Sequence, residues 1–141
     1  LLEDITKEKG GIPFPNKVSF ISQNWKKYPA LIQDSTLVTK IIDIEKTING
    51  RAYYYIPKEK VLPFAGQIKT GDIILITTKK KGLDTAHVGI AIENEGQIYL
   101  LHASVSDKKV SVTTETLPDY LQRITSHSGI MIGRLINFKS N

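Results

Sequence analysis

GDIILITTKKKGLDTAHVGIAIENEGQIYLLHAS, residues 71–104, alternates apolar, β-branched runs with turn clusters, and it reads as three successive antiparallel strands. Gly71 and Asp72 open IILITT, an apolar run bounded by turn signals, as expected of a buried strand. After the charged loop KKKGLD come HVGIAI and QIYLLHAS, joined by ENEG. With the turn centred on Asn94 and Glu95, Ile92 faces Gln97, Ile90 faces Tyr99, and His87 faces His102. The period of two along a strand then projects both imidazoles from one face, with Cβ atoms about 5 Å apart.

Working outward, Ser106 and Asp107 mark a turn before KKVSVTT, where Val110 and Val112 share a face. Thr116 precedes LPDYLQRI, whose Leu117, Tyr120, Leu121 and Ile124 form a helical stripe, with Asp119 at capping-box spacing. GIMIGRLI supplies a last strand. Upstream, Leu37, Ile41, Ile44 and Ile48 recur at helical spacing, with Ser35 or Thr36 as N-cap and Gly50 past the end. RAYYYIP is a short aromatic strand stopped by Pro57, and PKEKVLPFAGQ has room for a turn of helix. Residues Leu1 to Pro29 are rich in breakers (Gly10, Gly11, Pro13, Pro15) and hold one short helix carrying Val18, Ile21 and Trp25. The expected organisation is a single domain over 1–141, with a loop-rich connector at 1–35 and a helix plus β-sheet core at 36–141. The expected class is α+β, with a central antiparallel sheet built from Ile73 to Thr77, His87 to Ile92, Gln97 to Ala103, Lys109 to Thr113 and Ile130 to Leu135.

Composition narrows the function classes. The 141 residues are 40% hydrophobic and 23% charged, the balance of one globular domain. No run approaches the ~20 apolar residues of a membrane-spanning helix, and LLEDITKEKGG lacks the layout of a signal peptide. There is no cysteine, which excludes disulfides and thiolate metal sites within these residues. The net charge of +5 favours anionic partners, but the basic residues are scattered apart from Lys79 to Lys81, Lys26 with Lys27, and Lys108 with Lys109. The strands lack an exposed aromatic and basic series on which bases would stack, so nucleic acid is not expected as a partner.

The histidine pair is the centre of any chemistry. An imidazole with one ring nitrogen held by a second polar side chain is fixed in tautomer and orientation, as a general base requires. The competing reading is two polar strand residues hydrogen-bonded across a half-exposed sheet. Gly89 lies on the face of His87, leaving space for a substrate or another chain element. Ser104 shares a face with His102 and reads as a turn former before it reads as a nucleophile. Asp84 either caps its loop or lines the site. Arg51 and the tyrosines Tyr53, Tyr54 and Tyr55 are the residues that would contact a carboxylate or a sugar, although Tyr54 and its neighbours read first as core. Arg134 suits a buried acid as well as a substrate, and His127 in THSG reads as a solvated loop residue. His87, His102 and Asp84 are three zinc-compatible side chains without a recognised spacing, so no metal or other cofactor is expected.

Taken in order, GDIILIT, HVGIAI and LLHAS resemble the NlpC/P60 (papain-like) cysteine hydrolases of cell-wall peptides. NGRAYYYIP, the run from GDIILITT to HVGIAI, LLHAS, LPDYL and SGIMIGRL are similar to the N-acetylmuramoyl-L-alanine amidase-like branch, also called DUF1460, from about Leu1 to Leu135. That resemblance implies a papain-like NlpC/P60-type sheet with flanking helices and hydrolysis of an amide in peptidoglycan or its fragments, without a cofactor. It implies His87 as base, His102 as the residue that orients it, Gly71 and Asp72 as a structural turn, and a periplasmic or secreted protein. The family's nucleophile is a cysteine opening a helix upstream of all these segments, and no residue here matches it. The chain therefore reads as the C-terminal portion of a longer amidase-like domain. A sheet that has lost a packed helix is expected to expose an apolar face and to self-associate. The alternative function is a catalytically inert module that binds wall peptides or another protein through the same cleft.

Overall fold

The structure, a computed structural model, describes residues 1–15 and 17–136. Eight strands form one antiparallel sheet: β1 Leu2–Asp4, β2 Ile12–Pro13, β3 Tyr54–Pro57, β4 Ile73–Thr78, β5 Thr85–Asn94, β6 Gln97–Ser104, β7 Lys109–Val112 and β8 His127–Leu135. Their order is β2-β3-β8-β4-β5-β6-β7, and β1 pairs with β8. Helices are α1 Phe20–Gln23, α2 Pro29–Gln33, α3 Thr36–Asn49, α4 Lys58–Phe64 and α5 Leu117–Arg123, with 3-10 turns at Trp25–Lys27 and Ala65–Gln67. The α+β class holds, and the first 35 residues add two short strands to the sheet.

One face of the sheet carries the core. Ile74 and Ile76 of β4, Ile130 and Ile132 of β8, Ala91 of β5, and Ile98 and Leu100 of β6 are buried with Val61 of α4 and Leu117 and Leu121 of α5. Burying each large aliphatic side chain contributes about 1.5–3 kcal/mol, so this layer dominates the stability. Helix α5 is started by the expected capping box: the Thr116 hydroxyl donates to Asp119 Oδ2 at 2.7 Å and accepts from the Asp119 amide at 3.4 Å. At the far end of the sheet Asp72, 2% exposed, accepts both Nε and Nη2 of Arg134 at 2.8 and 2.7 Å and the Lys69 amide at 2.8 Å. Burial alone would raise the Asp72 carboxyl, but the Arg134 hydrogen bonds and the Lys69 amide outweigh it and hold it below its ordinary range. Gly71, at φ +94°, makes the turn that delivers Asp72 to this position.

The other face is only partly covered. Val18 and Ile48 close over Leu75 and Met131, leaving a cavity of about 150 Å³, and Asn49 ties this region down through reciprocal 2.8 Å hydrogen bonds with the Val18 backbone. Farther along that face Val88 (51% exposed), Ile90, Val110 and Val112 meet solvent. Helix α3 is less buried than its stripe predicts: among its residues only Glu45 is buried, accepting the Ser22 amide at 3.1 Å, and Ile42 and Ile44 are exposed. Its N-terminus is satisfied by neither Ser35 nor Thr36. Asp34 Oδ1 accepts the Thr36 amide and hydroxyl at 3.0 and 2.6 Å.

The β5–β6 hairpin corrects the expected register. Pairing runs Asn94↔Gln97, Ile92↔Tyr99 and Ile90↔Leu101, so the two-residue turn is Glu95-Gly96 rather than Asn94-Glu95. Both central residues have positive φ, 51° and 78°, which is the type I′ geometry that the twist of two strands favours. Glycine tolerates the second left-handed position without strain, and Gly96 draws the turn one residue along. Moving the turn by one residue changes who faces whom but not which face a side chain occupies. Continuing the register sets His102 across from Gly89 and puts His87 on the diagonal.

Candidate active site

His87 and His102 still meet. Ile76 pairs with His87, and Leu100 precedes His102 by two, so both imidazoles lie on the core face at the end of the apolar layer. His87 Nε2 and His102 Nδ1 are 2.7 Å apart, and the rings are nearly perpendicular at 86°. At that separation one nitrogen carries the proton and the other accepts it. When His87 Nε2 donates, His87 Nδ1 is left with a free lone pair, the form a base needs. The same hydrogen bond survives when His87 gains a second proton, so His102 can hold the ring through a proton transfer without reorganising. Burial, assisted by the neighbouring His102, lowers the His87 pKa below its ordinary value, which keeps the base form available near neutrality.

These rings stand in a cavity of about 450 Å³, open on one side and lined by residues of β5, β6, β7, α5 and β8. Tyr120 of α5 packs edge-on against His102, centroids 5.5 Å apart, and lies 5.7 Å from the ring of His127. Arg123 lies over the outer face of Tyr120 at 5.2 Å and pairs with Glu115 at 2.6 Å, forming a charged rim. Burial raises the Tyr120 hydroxyl, so it remains a neutral donor.

His127 is not the solvated loop residue expected from THSG. Strand β8 begins at His127, ahead of the expected Ile130, because a bulge between its pairings Thr77↔Gly129 and Thr78↔His127 turns the ring onto the core face. It is 4% exposed, and burial, then the charges of His87, Lys58 and Arg123, lower its pKa to about 4. A bulge leaves no mark in the apolar pattern, so the sequence carried no signal for this residue. Tyr120 was legible as a helix position facing the core, but not as a wall of the cavity.

Of the other candidates only Ser104 lines this cavity. Its hydroxyl is occupied by the turn, accepting the Asp107 amide at 3.1 Å and bonding Ser106 Oγ at 3.0 Å. Asp84 and Arg51 line the small cavity on the opposite face, and Asp84 caps its own loop by accepting the Thr85 amide at 2.7 Å. Asp84 therefore does not converge with the histidines, and among the described residues no group of three or more His, Cys, Asp or Glu side chains could hold a metal ion. Tyr54 lies elsewhere, under the ammonium of Lys7 at 4.9 Å from its ring. Gly89 does not leave open space for a substrate: a Cβ there would lie 2.5 Å from Leu100 Cδ1, so a side chain of the core already fills it. No helix among the described residues is long and apolar enough to cross a membrane.

Comparison with known proteins supplies a family. The model of the AmiA-like family, described as N-acetylmuramoyl-L-alanine amidase-like, matches residues 1–130. Among solved structures, a Bacteroides fragilis protein described as a putative xylanase is 36% identical, with a TM-score of 0.86 over 95% of this chain and 59% of its own. An N-acetylmuramoyl-L-alanine amidase from Bacteroides uniformis is 35% identical, with a TM-score of 0.88 over 96% of this chain and 58% of its own. A Legionella pneumophila protein of the DUF1460 group, 22% identical with a TM-score of 0.62, shares the fold over 97% of this chain and 57% of its own. The chain thus spans less than three-fifths of the length of these proteins. No curated protein matches it.

Proposed function

The chain belongs to the AmiA-like, N-acetylmuramoyl-L-alanine amidase-like family, and from that premise we propose that it carries the base half of a cysteine amidase acting on peptidoglycan or its fragments. In this reading it is the C-terminal portion of a papain-like, NlpC/P60-type domain, and the nucleophilic thiol comes from outside the 141 residues. The observation that carries the reading is the 2.7 Å contact between His87 Nε2 and His102 Nδ1 at an open cavity. The length of the solved relatives, well beyond that of this chain, is compatible with further residues completing the site.

The chemistry follows from the tautomer. His87 Nδ1 accepts the thiol proton, and the thiolate attacks the amide carbon to give a tetrahedral oxyanion. Collapse breaks the C–N bond as the imidazolium returns its proton to the departing nitrogen. A thioester remains; His87 takes a proton from the attacking water, and the C–S bond breaks as the departing thiolate recovers that proton. Throughout, His102 accepts the Nε2 proton of His87 and keeps the ring aimed. The cavity, open on one side with a charged rim, suits a polar peptide rather than an apolar ligand.

The test is cleavage of purified muropeptides by the full-length protein and its His87→Ala variant. Loss of at least a hundredfold in kcat/KM is expected, and undiminished cleavage by the variant overturns the assignment. Binding of muropeptides with no cleavage by the parent protein favours the second reading, a wall-peptide binding module, for which the absence of cysteine among the 141 residues speaks.

A further inference from the structure

We infer that His127 is a neutral hydrogen-bond donor of the same cavity, placed to bind the carbonyl oxygen of the amide on which His87 acts. The inference rests on the proposed function for the identity of that amide. Its own support is a buried polar atom without a partner. Among the described residues His127 Nδ1 is the one buried side-chain nitrogen or oxygen with no hydrogen-bond partner, although the ring lines the cavity of His87 and His102. Native proteins rarely leave such atoms, and each one calls for an explanation.

The sealed nitrogen also decides the tautomer. A neutral imidazole carries its proton on one nitrogen only. A proton on Nδ1 would be a sealed donor with no acceptor, and orphaned buried N–H groups are rarer than under-satisfied acceptors. The proton therefore belongs on Nε2, the nitrogen left to reach the cavity, where it is available to a ligand. The ring is held in this pose by Tyr120, tilted 34° against it, and by the bulge that brings His127 opposite Thr78. Its pKa of about 4 keeps the donor uncharged over the working range of the base. Lys58 and Arg123, the cations whose fields reach it, act in the same direction.

Placement fits an oxyanion donor. β8 and β5 flank β4, with His87 opposite Ile76 and His127 opposite Thr78, so their backbones are two strand spacings apart across the sheet and two residues apart along it, about 12 Å. A reacting amide needs its base on the nucleophile side and its oxygen donor on the other, and His87 and His127 line the same cavity from different strands of the core face. A neutral donor fixed in a partly buried site strengthens as charge develops on the oxygen, which is how such donors lower barriers.

Two measurements on the full-length protein decide the matter. In the first, ring ¹⁵N shifts are followed in the His87→Ala variant, which isolates binding from turnover, while N-acetylmuramoyl-L-alanyl-D-isoglutamine is added. The Nε2–H tautomer of His127 is expected from pH 5.5 to 8, with a downfield shift of its proton on saturation. An Nδ1–H tautomer, or a proton unmoved by the bound muropeptide, overturns the inference whether or not the protein is an enzyme. In the second, His127→Phe keeps the ring volume and is expected to lower kcat about 10²–10³-fold with little change in KM, the usual loss for one oxyanion donor. His127→Gln, which restores a neutral donor, is expected to recover at least tenfold of that. Equal kcat in the Phe and Gln variants, both as stable as the parent, also overturns it. A failure of His87→Ala to impair cleavage would instead refute the assignment of the base.

Discussion

Gly89→Ala is the most informative single substitution outside the histidines, because the residue lies across from His102 and two places along the strand from His87. Its added Cβ would sit 2.5 Å from both Cγ and Cδ1 of Leu100 and 2.9 Å from the Leu101 carbonyl oxygen. Leu100 is fully buried and has nowhere to rotate, and the carbonyl is ladder backbone. Reaching an ordinary 3.4–4 Å contact therefore requires β5 and β6 to separate by the better part of an ångström. Overpacking of this kind costs about 1–3 kcal/mol, and with a backbone atom among the obstacles the upper half of that range applies. For a chain of this size about 2.5 kcal/mol lowers Tm by roughly 7–10 °C. The same displacement lengthens the 2.7 Å His87–His102 contact past hydrogen-bonding distance. The assay is thermal and urea unfolding together with ring ¹⁵N spectra, with Gly66→Ala as control. Gly66 has open space around it and no positive φ, so that change should be neutral or stabilising by up to ~1 kcal/mol. A Tm within 2 °C of the parent and an unchanged imidazole pair would refute the close-packing account of Gly89.

Acid should weaken the fold through His127. Its folded pKa of about 4 lies below the ~6.5 of an unfolded histidine, so its contribution is fully present above pH 6.5 and is lost as pH falls toward 4. That loss amounts to roughly 2–3 kcal/mol between pH 7 and 4, so the urea midpoint of the parent should fall relative to that of His127→Phe as pH is lowered; a pH-independent difference between them would contradict it. Removing the partner of a buried charge is the next case: Arg134→Leu leaves the Asp72 carboxylate with only the Lys69 amide and should cost about 3 kcal/mol, part of it recovered in the Asp72→Asn background. A double-mutant coupling below 0.5 kcal/mol would show that the ion pair is incidental. Finally, the 141-residue chain by itself should sediment as a concentration-dependent oligomer, through the face carrying Val88, Ile90, Val110 and Val112, and Val88→Lys with Val112→Lys should shift it toward monomer. A monomer at high concentration would count against the exposed face as an association surface.

The sheet was legible because its strands obey simple rules. IILITT, HVGIAI and QIYLLHAS are apolar runs between turn clusters, and parity alone put His87 and His102 on one face, so the pair survived an error in the turn. The turn itself was misplaced because ENEG was read by its middle, whereas the decisive residue was Gly96 with its left-handed backbone. The surroundings of the site were not legible. The walls of the cavity come from α5 and β8, and whether Tyr120 and His127 meet there depends on strand order and a bulge, neither of which is written in local periodicity. Asp84 and Arg51 illustrate the converse: close in sequence to plausible motifs, they are carried to the opposite face. Helix α3 had a clean apolar stripe and is nonetheless mostly exposed, since periodicity says which side of a helix seeks a partner, not that these residues provide one.

Strand order also sets the sequence in which the three rings are gathered. His87 and His102 are fifteen residues apart on one hairpin, a local unit of the kind that closes in about 1–10 μs. His127 arrives only when β8 inserts between β3 and β4, pairing Ile132 with Ile74 across the whole hairpin region, a long closure that is entropically slow. Early in refolding the chain would thus hold an imidazole pair on a partial sheet with no third ring and no Tyr120 wall. Only closure of the central strand would gather all three in one cavity, which ties completion of the site to a long-range pairing rather than to the hairpin that bears two of its rings.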